Sequence, residues 1–260
     1  MSPKINDPEE KPIVKPSDDT VEKSINDPLD VVHYPLWIEF KEKAPGTHKH
    51  TQNIINIVDS ITSDVPDVNT KALHLATMYH DIGKMWAPYV FTENQSDVNM
   101  HDDLSPAISY HLITKHVSDT ASILIANEFP IEVINIAIQH HGTTVLRSIY
   151  EKCKKDNKKC REEDFRYQTQ KPNSLESLIL MICDQVEATS KSIYVDQQKD
   201  IDPETFVASI FNKLMMDGQF DNVKTELGNL NKIQKALVRD VTGTFGKRVR
   251  YEEDDNMEKK

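Results

Sequence analysis

The sequence lacks any run of about 18 apolar residues, the length that a helix needs to cross a bilayer. Its N-terminal segment, MSPKINDPEEKPIVKPSDDT, has no apolar core of the kind found in secretory signals. We therefore expect a chain without a membrane segment that stays in the cytoplasm.

Cysteine and glycine are both scarce. The three cysteines, Cys153, Cys160 and Cys183, form no CxxC pair, and their odd number gives no disulfide framework. Cys153 and Cys160 lie in a lysine-rich stretch, where we expect ordinary exposed or half-exposed thiols rather than zinc ligands. Only seven glycines occur among 260 residues, which favours a helical protein over a sandwich built on glycine turns.

Positive charge is also in deficit. The formal net charge is −11, whereas binding of long nucleic acid normally needs a basic stripe that neutralises phosphates. A small anionic substrate is still compatible with this charge, because a few cations can make one pocket positive on an acidic protein.

Polar ends and a helical middle define the expected organisation. Residues 1–27 are acidic, rich in proline and poor in large apolar groups, so we expect a flexible arm. Residues 251–260 are expected to form a short disordered polar tail. Residues 28–250 are expected to form one all-α helical bundle, because apolar residues recur at helical spacing and no sustained alternating segment occurs.

The apolar periodicity also sets the expected helix boundaries. Helices are predicted at 51–61, 70–81, 105–115, 119–128, 131–140, 174–192, 203–217 and 227–246. Asn69 or Thr70 is the expected cap of the second of these helices. The charged, aperiodic stretch 151–172 is expected to be a surface excursion.

Histidine and aspartate residues at or near the ends of these helices carry the functional signal. They are His50, His80, Asp81, His116, His140, His141 and Asp184. Imidazole and carboxylate donors suit iron, manganese or a similar metal better than a thiolate-rich zinc site. Seven donors exceed what one metal takes from a protein, so we predict two divalent metal ions with Asp81 as a bridge.

A single histidine is more often a surface or core residue than a ligand, so the specificity of the pattern lies in its combination with His80-Asp81-Ile82-Gly83-Lys84. That HDIGK run is the signature of the HD superfamily of metal-dependent phosphohydrolases. Further motifs follow in order: APGTHKH, YHDIGK, FTENQ, MHDDLSP, QHHGTT, DFRYQTQKP and CDQVEA. Over roughly residues 35–250 they resemble the cytoplasmic HD domain of the seven-transmembrane cyclic di-AMP phosphodiesterases.

The resemblance implies a ligand set and a reaction. One metal would take His50, His80, Asp81 and Asp184, and the other Asp81, His116, His140 and His141. The implied reaction is hydrolysis of cyclic di-AMP to linear pApA by a metal-activated hydroxide, with Asp81 and Lys84 as catalytic residues. Lys84 is a candidate contact for a non-bridging phosphate oxygen, and Thr143, Thr144 and Arg166 are weaker substrate-contact candidates.

The other histidines receive no ligand role, and His101 is expected to support its loop or to cap the following helix. The relatives that carry these motifs have transmembrane helices before this segment. The chain is therefore interpreted either as a free-standing relative or as an excised domain.

Three alternatives remain beside this interpretation. Another HD phosphohydrolase would act on cyclic di-GMP or nucleoside phosphates. The cyclic di-GMP branch carries a GYP tripeptide, which this sequence lacks. Nucleotidases of the HD type need a smaller set of ligands, without counterparts of His116, His140 and His141. An HD-type di-iron oxygenase stays open, since the sequence specifies neither metal nor redox state. A catalytically idle nucleotide-binding or regulatory protein is disfavoured, because all seven candidate ligands are retained.

Overall fold

The computed structural model describes residues 28–95, 98–156, 159–197 and 201–257. The expected arm, residues 1–27, lies outside these ranges. The chain divides after Pro35, and the packing described below lies within Leu36–Lys260. In the described ranges the regular structure is helical and no β-strand occurs, which confirms the predicted all-α class.

Nine α-helices are found within the described ranges. They are α1 (Pro28–Lys43), α2 (Pro45–Thr62), α3 (Thr70–Tyr79), α4 (Pro106–Ala126), α5 (Ile131–Ile138), α6 (Arg147–Lys155), α7 (Leu175–Ser190), α8 (Pro203–Met216) and α9 (Leu227–Met257). A 3-10 turn, Ile82–Trp86, follows α3, and a π-helical turn, Lys191–Asp196, extends α7.

Helix α7 is the centre of the bundle. Its residues from Leu178 to Cys183 have no solvent-exposed surface, so this helix is apolar on every side. It packs against α2, α3, α5, α8 and α9. Ser174 and Ser177 form a capping box that fixes its start. A polar residue on this helix is therefore held in the interior, as Asp184 is.

Helices α2 and α3 form as their patterns predict. The apolar stripe of α2 is buried at Ile54, Val58 and Ile61 and faces α3, α7 and α9. The helix begins at Pro45, which suits a first helical position, so His50 lies inside α2 rather than before it. The Asn69 side chain accepts a hydrogen bond from the N–H of Ala72, which confirms the predicted cap of α3.

Two predicted helices are one. The predictions at 105–115 and 119–128 merge into α4, which is capped by Ser105 and runs without a break to Ala126. No glycine or proline interrupts residues 116–118, and Lys115 pairs with Asp119 one turn later at 2.5 Å. His116 therefore lies in the middle of a helix, which corrects its expected place near a helix end.

The expected surface excursion at 151–172 is also wrong. Helix α6 occupies its start, and Cys153 and Phe165 are buried in a cluster with Tyr110 and Ile149. Cys153 and Cys160 form a disulfide, which corrects the expectation of ordinary thiols. Their Cα atoms lie 6.3 Å apart, within disulfide reach, because the chain returns towards α6 after that helix ends.

The ends of the chain differ from expectation as well. Helix α1 was not predicted, and α9 ends at Met257 rather than at residue 246, so it extends into the segment expected to be a polar tail. Among the residues that the structure describes, no helix combines the length and apolarity that crossing a membrane requires.

Candidate metal centre

The His80–Asp81 pair lies at the tight turn between α3 and the 3-10 turn that follows it. This turn is fixed against α4. The Gly83 N–H donates to Thr120 Oγ1 at 3.0 Å, and Thr120 Oγ1 donates to the His80 carbonyl at 3.1 Å. A Cβ atom on Gly83 would lie 2.2 Å from the His116 carbonyl oxygen. The glycine therefore allows the close approach that brings Asp81 next to His116.

The two oxygens of Asp81 face different histidines. Oδ1 lies 3.3 Å from His116 Nε2 and 3.6 Å from His140 Nε2. Oδ2 lies 3.5 Å from His80 Nε2 and 3.9 Å from His50 Nε2. A carboxylate placed between two sets of nitrogen donors has the geometry of a bridging ligand.

The seven predicted ligands come together in two groups. The first, named here the Asp81 group, contains Asp81, His116, His140 and His141. The second, the His50 group, contains His50, His80 and Asp184. In each group the possible ligand atoms lie within 4.8 Å of one another. This division matches the two ligand sets that the family resemblance implies, with Asp81 adjoining both.

Three of the histidines are oriented by their own helices. The Nδ1 atoms of His80, His116 and His140 bond to the carbonyl oxygens of Thr77 (2.8 Å), Ile113 (2.6 Å) and Ala137 (2.6 Å), each three residues earlier. A carbonyl only accepts a hydrogen bond, so the proton of each ring lies on Nδ1. The Nε2 lone pair of each ring is therefore directed at the centre.

Several buried polar atoms fit a bound cation. Within the described residues, His80 Nε2, Asp81 Oδ1 and His141 Nδ1 are buried and have no hydrogen-bond partner. Such atoms are costly unless something satisfies them, and a divalent cation would do so. The donors are nitrogen and oxygen atoms only, so the groups could hold divalent metal ions.

The charges of Asp81 and Lys84 stabilise each other. Burial acts to raise the pKa of Asp81, but the Lys84 ammonium, 2.7 Å from Oδ2, and the neighbouring histidines together outweigh burial and hold that pKa well below its usual range. Burial acts to lower the pKa of Lys84, yet the charges of Asp81 and Glu93 raise it. Asp81 is thus an anion and Lys84 a cation at neutral pH.

The histidines divide into neutral and charged rings. Burial lowers the pKa of His80 to about 4 and that of His116 to about 4, and it holds the pKa of His141 well below 6.5. These rings are neutral at pH 7, the state that binds cations. Burial also acts to lower the pKa of His50, but hydrogen bonds to Asp184 and Glu187 raise it to about 10. A cation that binds His50 Nε2 must therefore displace a proton.

A cavity of about 520 Å³ opens beside the two groups. Its wall includes Lys84, Phe91, Glu93, Tyr167 and Lys191 as well as four of the candidate ligands. Its volume is in the range of small-molecule sites. The centre is thus accessible to a ligand of nucleotide size.

Four residues at the centre were not singled out by the sequence. Glu187 bonds to His50 and Asn53, and Glu93 accepts from Lys84 at 3.0 Å. The Tyr167 ring stacks on His141 with centroids 4.2 Å apart. The motifs FTENQ, DFRYQTQKP and CDQVEA contain three of them, but sequence spacing does not reveal contacts between segments this far apart.

The weaker substrate-contact candidates are engaged within the protein. Arg166 donates to both carboxylate oxygens of Asp217, at 2.8 and 3.2 Å, and to Glu162 at 2.7 Å. It also donates to the Thr143 carbonyl at 2.8 Å, and Thr144 Oγ1 donates to the His141 carbonyl at 2.8 Å. These contacts brace the segment after His141, and a substrate role for Thr143, Thr144 or Arg166 stays a prediction.

The remaining histidines have other surroundings. His101 is buried and bonds through Nε2 to the Val90 carbonyl at 2.8 Å, so it supports its loop, while Ser105 caps α4. The His48 ring packs on Trp37 with centroids 4.2 Å apart. His74 pairs with Asp59 at 3.2 Å. None of these three belongs to either ligand group.

Comparisons with known proteins identify relatives of this chain. The cyclic-di-AMP phosphodiesterase PgpH of Bacillus subtilis is 35% identical over 222 residues, which cover 85% of this chain and 31% of PgpH. The protein of the same name from Listeria monocytogenes is 34% identical over 223 residues, with shares of 85% and 31%. The chain thus spans about a third of the length of these curated relatives.

A solved structure and a family model give the same result. The crystal structure of the L. monocytogenes PgpH HD domain in complex with cyclic-di-AMP matches with a TM-score of 0.74 and 33% identity, over 81% of this chain and 97% of that one. The resemblance drawn from the motifs is confirmed. The HD domain model matches residues 47–189, and the chain therefore belongs to the HD domain family.

Proposed function

We propose that this chain is a metal-dependent phosphodiesterase that hydrolyses a cyclic dinucleotide, cyclic di-AMP, to linear pApA. One observation carries the proposal: Asp81 lies between two histidine-rich donor groups beside a cavity of about 520 Å³. The substrate assignment draws on the relative whose HD domain was crystallised with cyclic-di-AMP and which is 33% identical to this chain.

Each donor group is proposed to hold one divalent ion, iron or manganese. His50, His80, Asp81 and Asp184 would hold one, and Asp81, His116, His140 and His141 the other. Ions bound in this way acidify water for attack at phosphorus and polarise the phosphate oxygens. The preference for iron or manganese follows from the absence of thiolates among the donors.

Lys84 is proposed to stabilise the reacting phosphate. Its ammonium lies 2.7 Å from Asp81 Oδ2 and 3.0 Å from Glu93 Oε1, and the side chain lines the cavity. Glu93 is itself held by Thr47, whose hydroxyl donates to Oε1 at 3.0 Å. A cation fixed in this way needs little reorganisation when negative charge develops on a nearby phosphate oxygen.

Aromatic side chains form the apolar part of the cavity wall. Phe91 contacts the His116 ring edge to face at 5.6 Å, and Tyr167 stacks on His141. Both rings are buried, and they keep bulk water away from the proposed ligands on one side. Thr143, Thr144 and Arg166 remain weaker candidates for substrate contact.

The test is a substrate panel with defined metal content. The purified protein is loaded with manganese or iron, the ions per chain are counted, and cyclic di-AMP, cyclic di-GMP and nucleoside monophosphates are supplied. We expect cyclic di-AMP to be converted to pApA. Turnover of cyclic di-GMP or of nucleoside monophosphates alone would overturn the substrate assignment.

The same assay without oxygen separates hydrolysis from oxygenation. Hydrolysis draws its oxygen atom from water, so the rate should be equal with and without dioxygen. A product that forms only in the presence of dioxygen would instead identify a di-iron oxygenase.

A further inference from the structure

His50 is oriented differently from the other helix-anchored ligands. His80, His116 and His140 each bond through Nδ1 to a carbonyl of their own helix. His50 Nδ1 lies 2.5 Å from a carboxylate oxygen, Oε2 of Glu187 on α7. Glu187 is buried, with 7% of its surface exposed, and it belongs to neither ligand group.

Glu187 is itself held in place by α2. Its second oxygen, Oε1, accepts a hydrogen bond from Asn53 Nδ2 at 2.7 Å. His50 and Asn53 are three residues apart on α2, as Asp184 and Glu187 are on α7, so each pair lies on one face of its helix. The two pairs meet, which gives the carboxylate one orientation.

The charge around the two groups is unequal. The Asp81 group offers three imidazole rings and one carboxylate. The His50 group contains Asp184 and has Glu187 directly behind its first ligand. Once the Nε2 proton of His50 has been displaced, a divalent cation is therefore attracted more strongly to the His50 group, which has more carboxylates around it.

We infer that Glu187 is a positioning residue that acts through His50: it holds the proton on Nδ1, directs Nε2 at the cation and makes the His50 group the tighter of two cation sites. The inference rests on the proposed dinuclear centre. Carboxylates that accept from the free nitrogen of a ligating histidine fix its tautomer and raise its basicity, and their loss typically costs about 10- to 100-fold in metal affinity.

The first experiment is a manganese titration of the whole protein, read by competition with a fluorescent chelator and by metal analysis. We expect two sites of distinct affinity in the wild type. Glu187→Gln, which keeps the size of the side chain, should weaken the tighter site about 10- to 100-fold and leave the weaker one unchanged. Equal sites in the wild type, or unaltered binding in Glu187→Gln, would overturn the inference.

Glu176→Gln is the matched control. It removes one negative charge from the same helix, and its side-chain oxygen can still accept from the N–H of Asn69, as Glu176 does at 2.8 Å. Manganese binding by this variant should equal that of the wild type. A loss as large as that in Glu187→Gln would show a general charge effect and contradict a specific role.

A double-mutant cycle tests whether Glu187 acts through His50. In a His50→Ala background, Glu187→Gln should have no further effect on manganese affinity. In a His116→Ala background, which removes a ligand of the other group, the full weakening should persist. Equal weakening in both backgrounds would mean that Glu187 acts independently of His50.

The wild type alone gives a third readout. With zinc bound, nitrogen-15 NMR of labelled histidines should place a proton on His50 Nδ1, and a zinc-bound Nδ1 would contradict the inference. Turnover with unaltered manganese binding in Glu187→Gln would refute the inference and leave the proposed function standing. Two manganese sites of unequal affinity in a protein that hydrolyses no substrate would refute the proposed function and leave the inference standing.

Discussion

At the scale of single residues, the position of Asp81 decides how the centre is built. Its oxygens lie between 3.3 and 3.9 Å from nitrogens of four histidines that come from four separate segments. Both donor groups therefore adjoin this one carboxylate.

Asp81→Asn should abolish turnover while the chain stays helical. The amide keeps the shape of the side chain but loses its charge. Turnover should fall by more than about 100-fold, because removal of a mere hydrogen-bond partner of a metal ligand already costs up to about 100-fold in metal affinity or activity. Metal content should fall at both sites. The exposed Asp103→Asn serves as a control with unchanged activity, and an active Asp81→Asn would remove Asp81 from the bridging role.

Lys84→Met separates catalysis from metal binding. Turnover should fall by about 100-fold or more, because removal of a single hydrogen-bond donor to the charge that develops in a transition state typically has an effect of this size. Metal affinity should not fall, because the lost ammonium lies 2.7 Å from a proposed ligand and repels cations. The turnover number and the manganese titration check this, and a parallel loss of both would assign Lys84 a structural role.

The seven candidate ligands could be named from the sequence because HDIGK and HHG motifs identify them without knowledge of the packing. Glu187 and Asn53 could not, since their roles require α2 to meet α7, and His50 and Glu187 are 137 residues apart. The spacing in CDQVEA was a usable signal, because Glu187 follows Asp184 by three residues and so lies on the same helical face.

At the scale of secondary-structure elements, the docking of the HDIGK turn on α4 is the critical contact. Gly83→Ala would place a methyl group 2.2 Å from a backbone oxygen of α4, so the backbone of the turn or of α4 would have to shift. We expect a loss of about 1–3 kcal/mol in unfolding free energy, measured by urea denaturation, together with reduced metal content.

Gly243 in α9 provides the opposite case for comparison. A methyl group there would meet no atom within 4 Å, so Gly243→Ala should raise stability by about 0.5–1 kcal/mol through helix propensity. If both variants shifted stability by the same amount and sign, close packing at Gly83 would not be the cause.

The disulfide between Cys153 and Cys160 ties α6 to the segment that carries Phe165. It closes a loop of sequence separation seven, for which the chain-entropy model gives about 2–3 kcal/mol. Cys160→Ser should lower the unfolding free energy by about that amount. Reductant should lower the unfolding free energy of the wild type by the same amount and leave that of the variant unchanged. A wild type whose unfolding free energy does not respond to reductant would contradict the disulfide.

The sequence predicts those helices well that carry many apolar residues at helical spacing, and it predicts poorly those that bury only a few side chains. Helix α2 shows four buried isoleucine or valine positions, whereas α6 buries only Ile149 and Cys153. Helix α4 was divided because its polar residues near Lys115 obscured the period. The disulfide was missed because cysteine spacing alone does not show that the chain returns to α6.

At the scale of the whole molecule, the centre links distant parts of the chain. Its candidate ligands come from α2, the HDIGK turn, α4, the end of α5 and α7, so bound ions would cross-link five segments. The all-α class of the fold could be predicted from the composition and from the helical spacing of the apolar residues. Which helices pack against one another could not be predicted, because this depends on contacts between residues far apart in sequence.

Metal removal should therefore lower the stability of the entire fold. Dialysis against a chelator is expected to lower the unfolding free energy by about 2.7 kcal/mol for each site, relative to protein in metal at 100 times the dissociation constant of that site. Calorimetry with and without manganese checks this. An Asp81→Asn variant should show little difference between the two conditions, and a wild type equally stable in both would argue against cations at the centre.

Among its described side chains, helix α9 has none in either ligand group, yet Ile233, Ala236, Leu237 and Val241 are buried, and the helix packs against both α2 and α7. It therefore backs the two helices that present His50 and Asp184. Anyone who trims this protein for crystallisation or inhibitor screening must keep the chain through Val241, because a shorter version would expose apolar surface directly behind the candidate metal centre.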